Sequence, residues 1–121
     1  MSKDLDDRYR RILAKQLVMN KDTWAALRSH GLTETTELTL DFAFVAPSRA
    51  NAEALRAVLV DQTDYDVEVK SDGGLFSKRW SVTGSTKPTA ISAEILDQWV
   101  TWMVTAGVHE NCEFDGWGAG V

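Results

Sequence analysis

What most constrains this chain is a change of period. Up to residue 31 its apolar residues recur every three or four positions. From Leu38 they recur every second one, and the exchange between the two rhythms then happens twice in the same order. Leu5, Tyr9, Ile12, Leu13 and Leu17 form one helical stripe, with Arg8, Arg11 and Lys15 on other faces. Asn20 reads as a fresh helix start, with Asp22 in the first turn, Trp24 and Leu27 sharing a face, and Gly31 as a left-handed stop. The leader is therefore expected to be two helices or one kinked helix. Leu38, Leu40, Phe42 and Phe44 then alternate with Thr39, Asp41, Ala43 and Val45, a half-buried strand that Pro47 ends. Ser48 caps a helix whose inner side holds Ala54, Leu55, Val58 and Leu59, with residues 61–64 as its exit. Tyr65, Val67 and Val69 alternate with Asp66, Glu68 and Lys70 as a second strand, and Ser71-Asp72-Gly73-Gly74 is a turn. Arg79 to Gly84 is the third strand. Lys87-Pro88-Thr89 opens a last helix with a broad apolar face (Ile95, Leu96, Trp99, Trp102, Met103, Ala106), Gly107 closes it, and Cys112 and Phe114 alternate with Glu113 and Asp115 in a fourth strand.

Two strand-helix-strand units with right-handed crossovers interleave into a four-stranded antiparallel sheet with both helices on one face. The expected class is thus α+β, a ferredoxin-like sandwich (βαββαβ) over residues 32–121, preceded by a helical extension over 1–31, one domain overall. The last strand should pair beside the first, which would hold Trp117 at a fixed place. The surface around Trp99, Trp102 and Met103 is wider than one sheet contact requires. We expect core, with Trp102 covered by the leader, and the alternative is a homodimer seam.

Composition narrows the function. Eleven aromatic residues, five of them Trp, in a chain of 121 residues that is 44% hydrophobic exclude a disordered chain. The net charge of −5 hides an asymmetry: residues 1–31 sum to +3 and the remainder to −8. Such an acidic body argues against nucleic acid as the direct partner. No apolar run approaches membrane-spanning length and the single cysteine cannot form an internal disulfide, so the expected setting is cytoplasmic, away from membranes. Catalysis finds little support. Cys112 sits on an apolar strand phase without a base to activate it. His109 and Cys112 across a joint do not make a metal site, His30 beside Gly31 reads as a helix end, Gly73-Gly74 lacks the lysine of a phosphate loop, and Asp64 and Asp66 have no evident pocket. No catalytic residue, cofactor or metal is expected.

The runs "NKDTWAALRSHG", "LTLDFAFVAPSRANAEALRAVL" and "RWSVTG", and above all "EFDGW", resemble the bacterial ribonuclease E inhibitor family, known as regulator of ribonuclease E activity B, over about residues 20–118. The resemblance implies a ferredoxin-like protein that is not an enzyme and that binds the endoribonuclease at its arginine-rich regulatory region, reducing RNA cleavage. Glu113, Asp115, Gly116 and Trp117 match the family's closing motif, Phe114 stands where a tyrosine is usual, and Glu110-Asn111 replaces glycines that often precede it.

By the alternation, the sheet face turned away from the crossover helices carries Asp41, Asp66, Glu68, Glu113 and Asp115 against Lys70 and Arg79. Guanidinium groups of a partner protein's basic segment would make charge-assisted, sometimes bidentate, hydrogen bonds there. The bland alternative is a solvated polar surface. A third arrangement lays the basic leader across the face as a shield. Trp117 is expected either to organise the sheet end, with Asp115 and Gly116 shaping the backbone, or to anchor a partner. An RNA-binding module is the runner-up and would need stacking aromatics on a basic surface. A small hydrolase would need a pocket joining His109 or Cys112 to an acid.

Overall fold

One unbroken helix, α1 (Lys3–Ser29), opens the chain in the computed structural model, which describes residues 3–33, 35–71 and 79–119, with side chains from residue 6 onward. The side chain of Leu5 and the glycines of the 71–74 turn lie outside the described residues. No proline or glycine interrupts the 27 residues of α1, so nothing forces a kink. Asn20 is therefore not a cap. It is a buried mid-helix residue whose amide is satisfied by side chains from elsewhere. The end of α1 falls where expected. Leu32 N–H donates to Leu27 O, Gly31 N–H donates to Arg28 O, and Gly31 has a φ of 90°, the paired closure that stops a helix on a left-handed residue. Leu27 and Leu32 are both buried behind it.

The first expected strand is split at Thr39. β1 (Glu37–Leu38) and β2 (Leu40–Ala46) follow one another, and only β2 enters the main sheet. Ser48 caps α2 (Arg49–Gln62) as expected, its side chain accepting from Asn51 N–H. β3 (Asp66–Ser71) and β4 (Trp80–Ser85) come next. Lys87-Pro88-Thr89 does not open the last helix. Thr89 and Ala90 form β5, which pairs antiparallel with β1, and the Ser92 hydroxyl, accepting from Ile95 N–H, starts α3 (Ala93–His109) instead. A side-chain acceptor satisfies the orphan amides of a first turn, which Pro88 cannot do. Gly107 does not end α3. The left-handed residue is Asn111, at φ 58°, where Asn111 N–H donates to Val108 O and Cys112 N–H donates to Gly107 O. Asparagine is the residue after glycine that best tolerates that conformation. β6 (Glu113–Ala119) completes the chain.

The four-stranded sheet has the order β3-β4-β2-β6, every neighbouring pair antiparallel, with the last strand beside the first main strand as expected. α2 and α3 pack on one face, over Phe42, Phe44, Val82 and Phe114, all buried. α1 runs against α3 and reaches the outer edge of β6. Arg8 bonds to Asn111 near the end of α3, and Asn20 bonds to Asp97 near its start, so the two helices are antiparallel. Trp102 is not covered by α1. Asp97 faces α1, Trp102 lies roughly 140° round the helix from it, and Trp102 and Ile95 are 36% and 46% exposed. Trp99 is the inward tryptophan of α3, edge-on to Phe42, Phe114 and Trp117 and donating its N–H to Tyr65 Oη at 3.0 Å.

Candidate protein-binding face

Strand register lays out the face away from the helices as three rows. Asp66, Ser85, Asp41 and Gly118 cross the sheet in the first, Glu68, Thr83, Ala43 and Gly116 in the second, and Lys70, Ser81, Val45 and Glu113 in the third. Four of the expected residues, Asp41, Asp66, Glu68 and Glu113, therefore share this face. Its two central strands contribute mostly small side chains (Ser81, Thr83, Ser85, Ala43 and Val45) together with Asp41, while Asp66 and Glu68 stand on β3 and Glu113 on β6. No aromatic residue occupies any of the twelve positions, so the stacking platform of an RNA-recognition sheet is lacking here.

The acids have different neighbours. Asp41 accepts from the Ser85 hydroxyl at 2.6 Å. Asp66 faces Lys87 Nζ at 3.3 Å, and Glu68 faces Lys70 Nζ at 3.3 Å. Both ion pairs are well exposed, the kind worth about 0–1 kcal/mol in water. Glu113 stands apart at the far row. With Arg8, Arg11, Ile12 and Lys15 of α1 it lines a groove of about 230 Å³, so leader cations border this one acid. The leader does not lie across the face: its described buried side chains, Ile12, Gln16, Asn20 and Leu27, turn toward α3 and the β6 edge.

Asp115 and Trp117 owe their places to a β-bulge. Ala43 pairs with Gly116 and Phe44 with Phe114, so Asp115 is an extra residue in β6. Without it, Phe114 facing the helices would send Trp117 to the outer face, because side chains alternate. With it, Trp117 pairs with Phe42 and turns inward, packed against Trp99 at a centroid distance of 6.3 Å. Gly116 takes a φ of 124° to make the step, a conformation that favours glycine. Asp115 is exposed at the bulge. The indole N–H of Trp117 donates to Asn20 Oδ1 at 2.7 Å, and Asn20 Nδ2 donates in turn to Asp97 Oδ1 at 3.1 Å. One turn earlier, Gln16 Nε2 donates to the Phe114 carbonyl. The sequence pattern had passed over Gln16 and cast Asn20 as a cap. The signal was present: Gln16 and Asn20 continue the spacing of four from Ile12, on the side of the helix that is buried.

Cys112 is fully buried, its Sγ 3.4 Å from Glu110 O and 3.7 Å from Asn51 O. Burial first, then the nearby Glu110 carboxylate, push its thiol up to about 11 against a slight opposing pull from Arg8. It stays protonated at neutral pH, the opposite of an activated nucleophile. His30 and His109 are exposed at the ends of their helices. Among the described residues, no three His, Cys, Asp or Glu side chains gather as metal ligands would, and no helix is long and apolar enough to cross a membrane.

A family model described as regulator of ribonuclease activity B matches residues 18–119. The chain belongs to that family. A search of curated proteins returned no match. The family is one of regulators of ribonucleases that act through protein interaction, and it is not a known enzyme family. The span matched to the regulator of ribonuclease activity B family takes in both partners of the Asn20–Trp117 bond and all of the sheet. Arg8, Arg11, Lys15 and Gln16 precede it.

Proposed function

We propose that this chain regulates a ribonuclease stoichiometrically, by binding a basic, arginine-rich segment of ribonuclease E or a related RNA-processing enzyme in the cytoplasm. The strand order is read as the ferredoxin-like arrangement over residues 32–121, with residues 1–31 as an extension docked to it. The observation that carries the proposal is the placing of Asp66 and Glu68 side by side along β3, with Asp41 two strands away across Ser85, on one sheet face that no described helix covers. Asp115 adds charge at the bulge and Glu113, bordered by cations of α1, contributes least. Trp117, turned inward, is an organiser of the sheet end and not the anchor. Guanidinium groups can replace the exposed lysines at Asp66 and Glu68 at little cost, since those pairs are weak and an arginine fork can bond a carboxylate with two hydrogens at once.

The test is a cleavage assay. Purified ribonuclease E is given an RNA substrate and rising amounts of the chain. Cleavage should fall as the two proteins approach equal concentration, and less so as salt is raised. The variant Asp66→Lys with Glu68→Lys should need about tenfold more protein for the same effect, a change worth about 1.4 kcal/mol. Unaltered cleavage at a large excess of the wild-type chain would remove the proposal.

A further inference from the structure

The two edges of the sheet are finished differently. Thr86 N–H donates to Leu40 O at 2.9 Å, so residues 80, 82 and 84 of β4 turn their main-chain groups toward β2, and 81, 83 and 85 turn theirs toward β3. Asp66, Glu68 and Lys70, opposite Ser85, Thr83 and Ser81, therefore spend their main-chain groups inside the sheet. Val67 and Val69 present theirs outward. Arg56 marks that direction, since its Nε donates to Val67 O at 3.2 Å from α2. On the opposite edge α1 lies alongside β6, and Gln16 meets the outward Phe114 carbonyl. Along β3, among the described residues, no element takes that place. An open groove of about 760 Å³ folds over this edge. Asp66 and Glu68 line its outer side. Val60, which is 48% exposed, lines its helix side with Tyr65 and Val67.

We propose that the outward edge of β3 takes an extended segment of a protein partner as a fifth strand. Alternate side chains of that segment are arginine or lysine over Asp66 and Glu68, and those between are apolar against Val60 and Val67. This rests on the acidic-face reading and adds the mode of attachment to it. Side chains of an added strand alternate between the two sides of the sheet, and the groove offers carboxylates on one side and apolar surface on the other. Arg56 occupies the Val67 carbonyl until the segment arrives, which discourages pairing by chains that bring no compensating charge. A second copy would carry the same acids, and the same net charge of −5, to that edge.

The probe is a blocked, fluorescein-labelled peptide of alternating arginine and valine, matched to the six residues of β3. Two derivatives are N-methylated on one or the other set of alternate residues. Binding to the full chain is read by anisotropy. The plain peptide and one methylated form should bind alike, and the other form should bind at least about tenfold more weakly, because an added strand uses the main-chain N–H groups of only one side. The variant Val69→Pro, which removes an outward N–H at an edge where proline is tolerated, should weaken the plain peptide to a similar degree. Equal binding of all three peptides, lost in the Asp66→Lys, Glu68→Lys variant, overturns the fifth strand and leaves the acidic face standing. Equal binding that survives that variant overturns both. No binding of the plain peptide, or a dimer in light scattering that Val69→Pro dissolves, overturns the fifth strand alone, since the cleavage assay judges the face separately.

Discussion

At Asp115 and Gly116 a single extra residue decides which side of the sheet receives an indole, and the φ of 124° at Gly116 is the backbone device that allows it. A Cβ at Gly116 would approach nothing nearer than Gln16 Oε1 at 4.0 Å, so the objection to another residue there is conformational and not steric. Gly116→Ala should destabilise the protein by about 1–3 kcal/mol, read as a lowered urea midpoint with an unchanged slope. Gly118→Ala, also with open space around it and without a positive φ, should change the midpoint little. The closing motif was legible as a motif, yet the inward turn of Trp117 was not. Alternation counts residues in twos and cannot see an insertion. The available cue is the glycine inside the strand, which often marks a bulge.

Among the elements, α1 departs most from its expected form, and for a reason of partnership. Asn20 has the composition of a cap, but capping is a local reward that a distant partner can outbid. Here Trp117 and Asp97 satisfy both ends of its amide, so the helix runs through. The same partnership explains why the helix ends were easier to read at Gly31 than at Gly107. At Gly31 the left-handed residue is a glycine. At the end of α3 that conformation falls to Asn111, which Arg8 steadies from α1 with a bond to its side-chain oxygen. Asn20→Leu should cost about 1–3 kcal/mol, because it strands the Trp117 N–H and leaves Asp97 without its donor. Chemical denaturation checks this, and pairing the change with Trp117→Phe should recover part of the loss, since the stranded donor is then gone. The strands of the main sheet were legible as strands, because a period of two over half-buried positions has no helical counterpart, but the break at Thr39 and the run of β6 past its bulge to Ala119 were not.

For the molecule as a whole, the core gathers Cys112 and Tyr65 in surroundings that resist ionisation. Burial is the leading cause for both, and the Trp99 hydrogen bond opposes it only partly at Tyr65. A group that must stay protonated in the fold contributes nothing special at neutral pH. The unfolded chain loses its thiol proton near the ordinary 9.0 and the folded chain only near 11. Between those values the unfolded state binds fewer protons, so stability falls as pH rises through that window. Denaturation midpoints measured across it should decline, and Cys112→Ala should flatten the decline over its lower part while leaving the contribution of Tyr65. The α+β class, the four-stranded antiparallel sheet and the family could be read from the order of the periods and from one motif. What could not be read is which neighbours each acid keeps, because alternation assigns a side of the sheet and says nothing of a helix arriving from outside. Glu113 shares a face with Asp41 but borders Arg8, Arg11 and Lys15, a difference made by a segment a hundred residues away in the chain.

The clasp between Asn20 and Trp117 joins positions 97 residues apart. During synthesis the first helix therefore emerges long before the strand that receives it. Until α3 and β6 have both left the ribosome, Ile12 and Leu27 lack part of the clusters that bury them. The surface that buries one side of α1 is thus made last, by the final third of the chain. The order of synthesis leaves the clasp, and with it the burial of Asn20, to the last strand made.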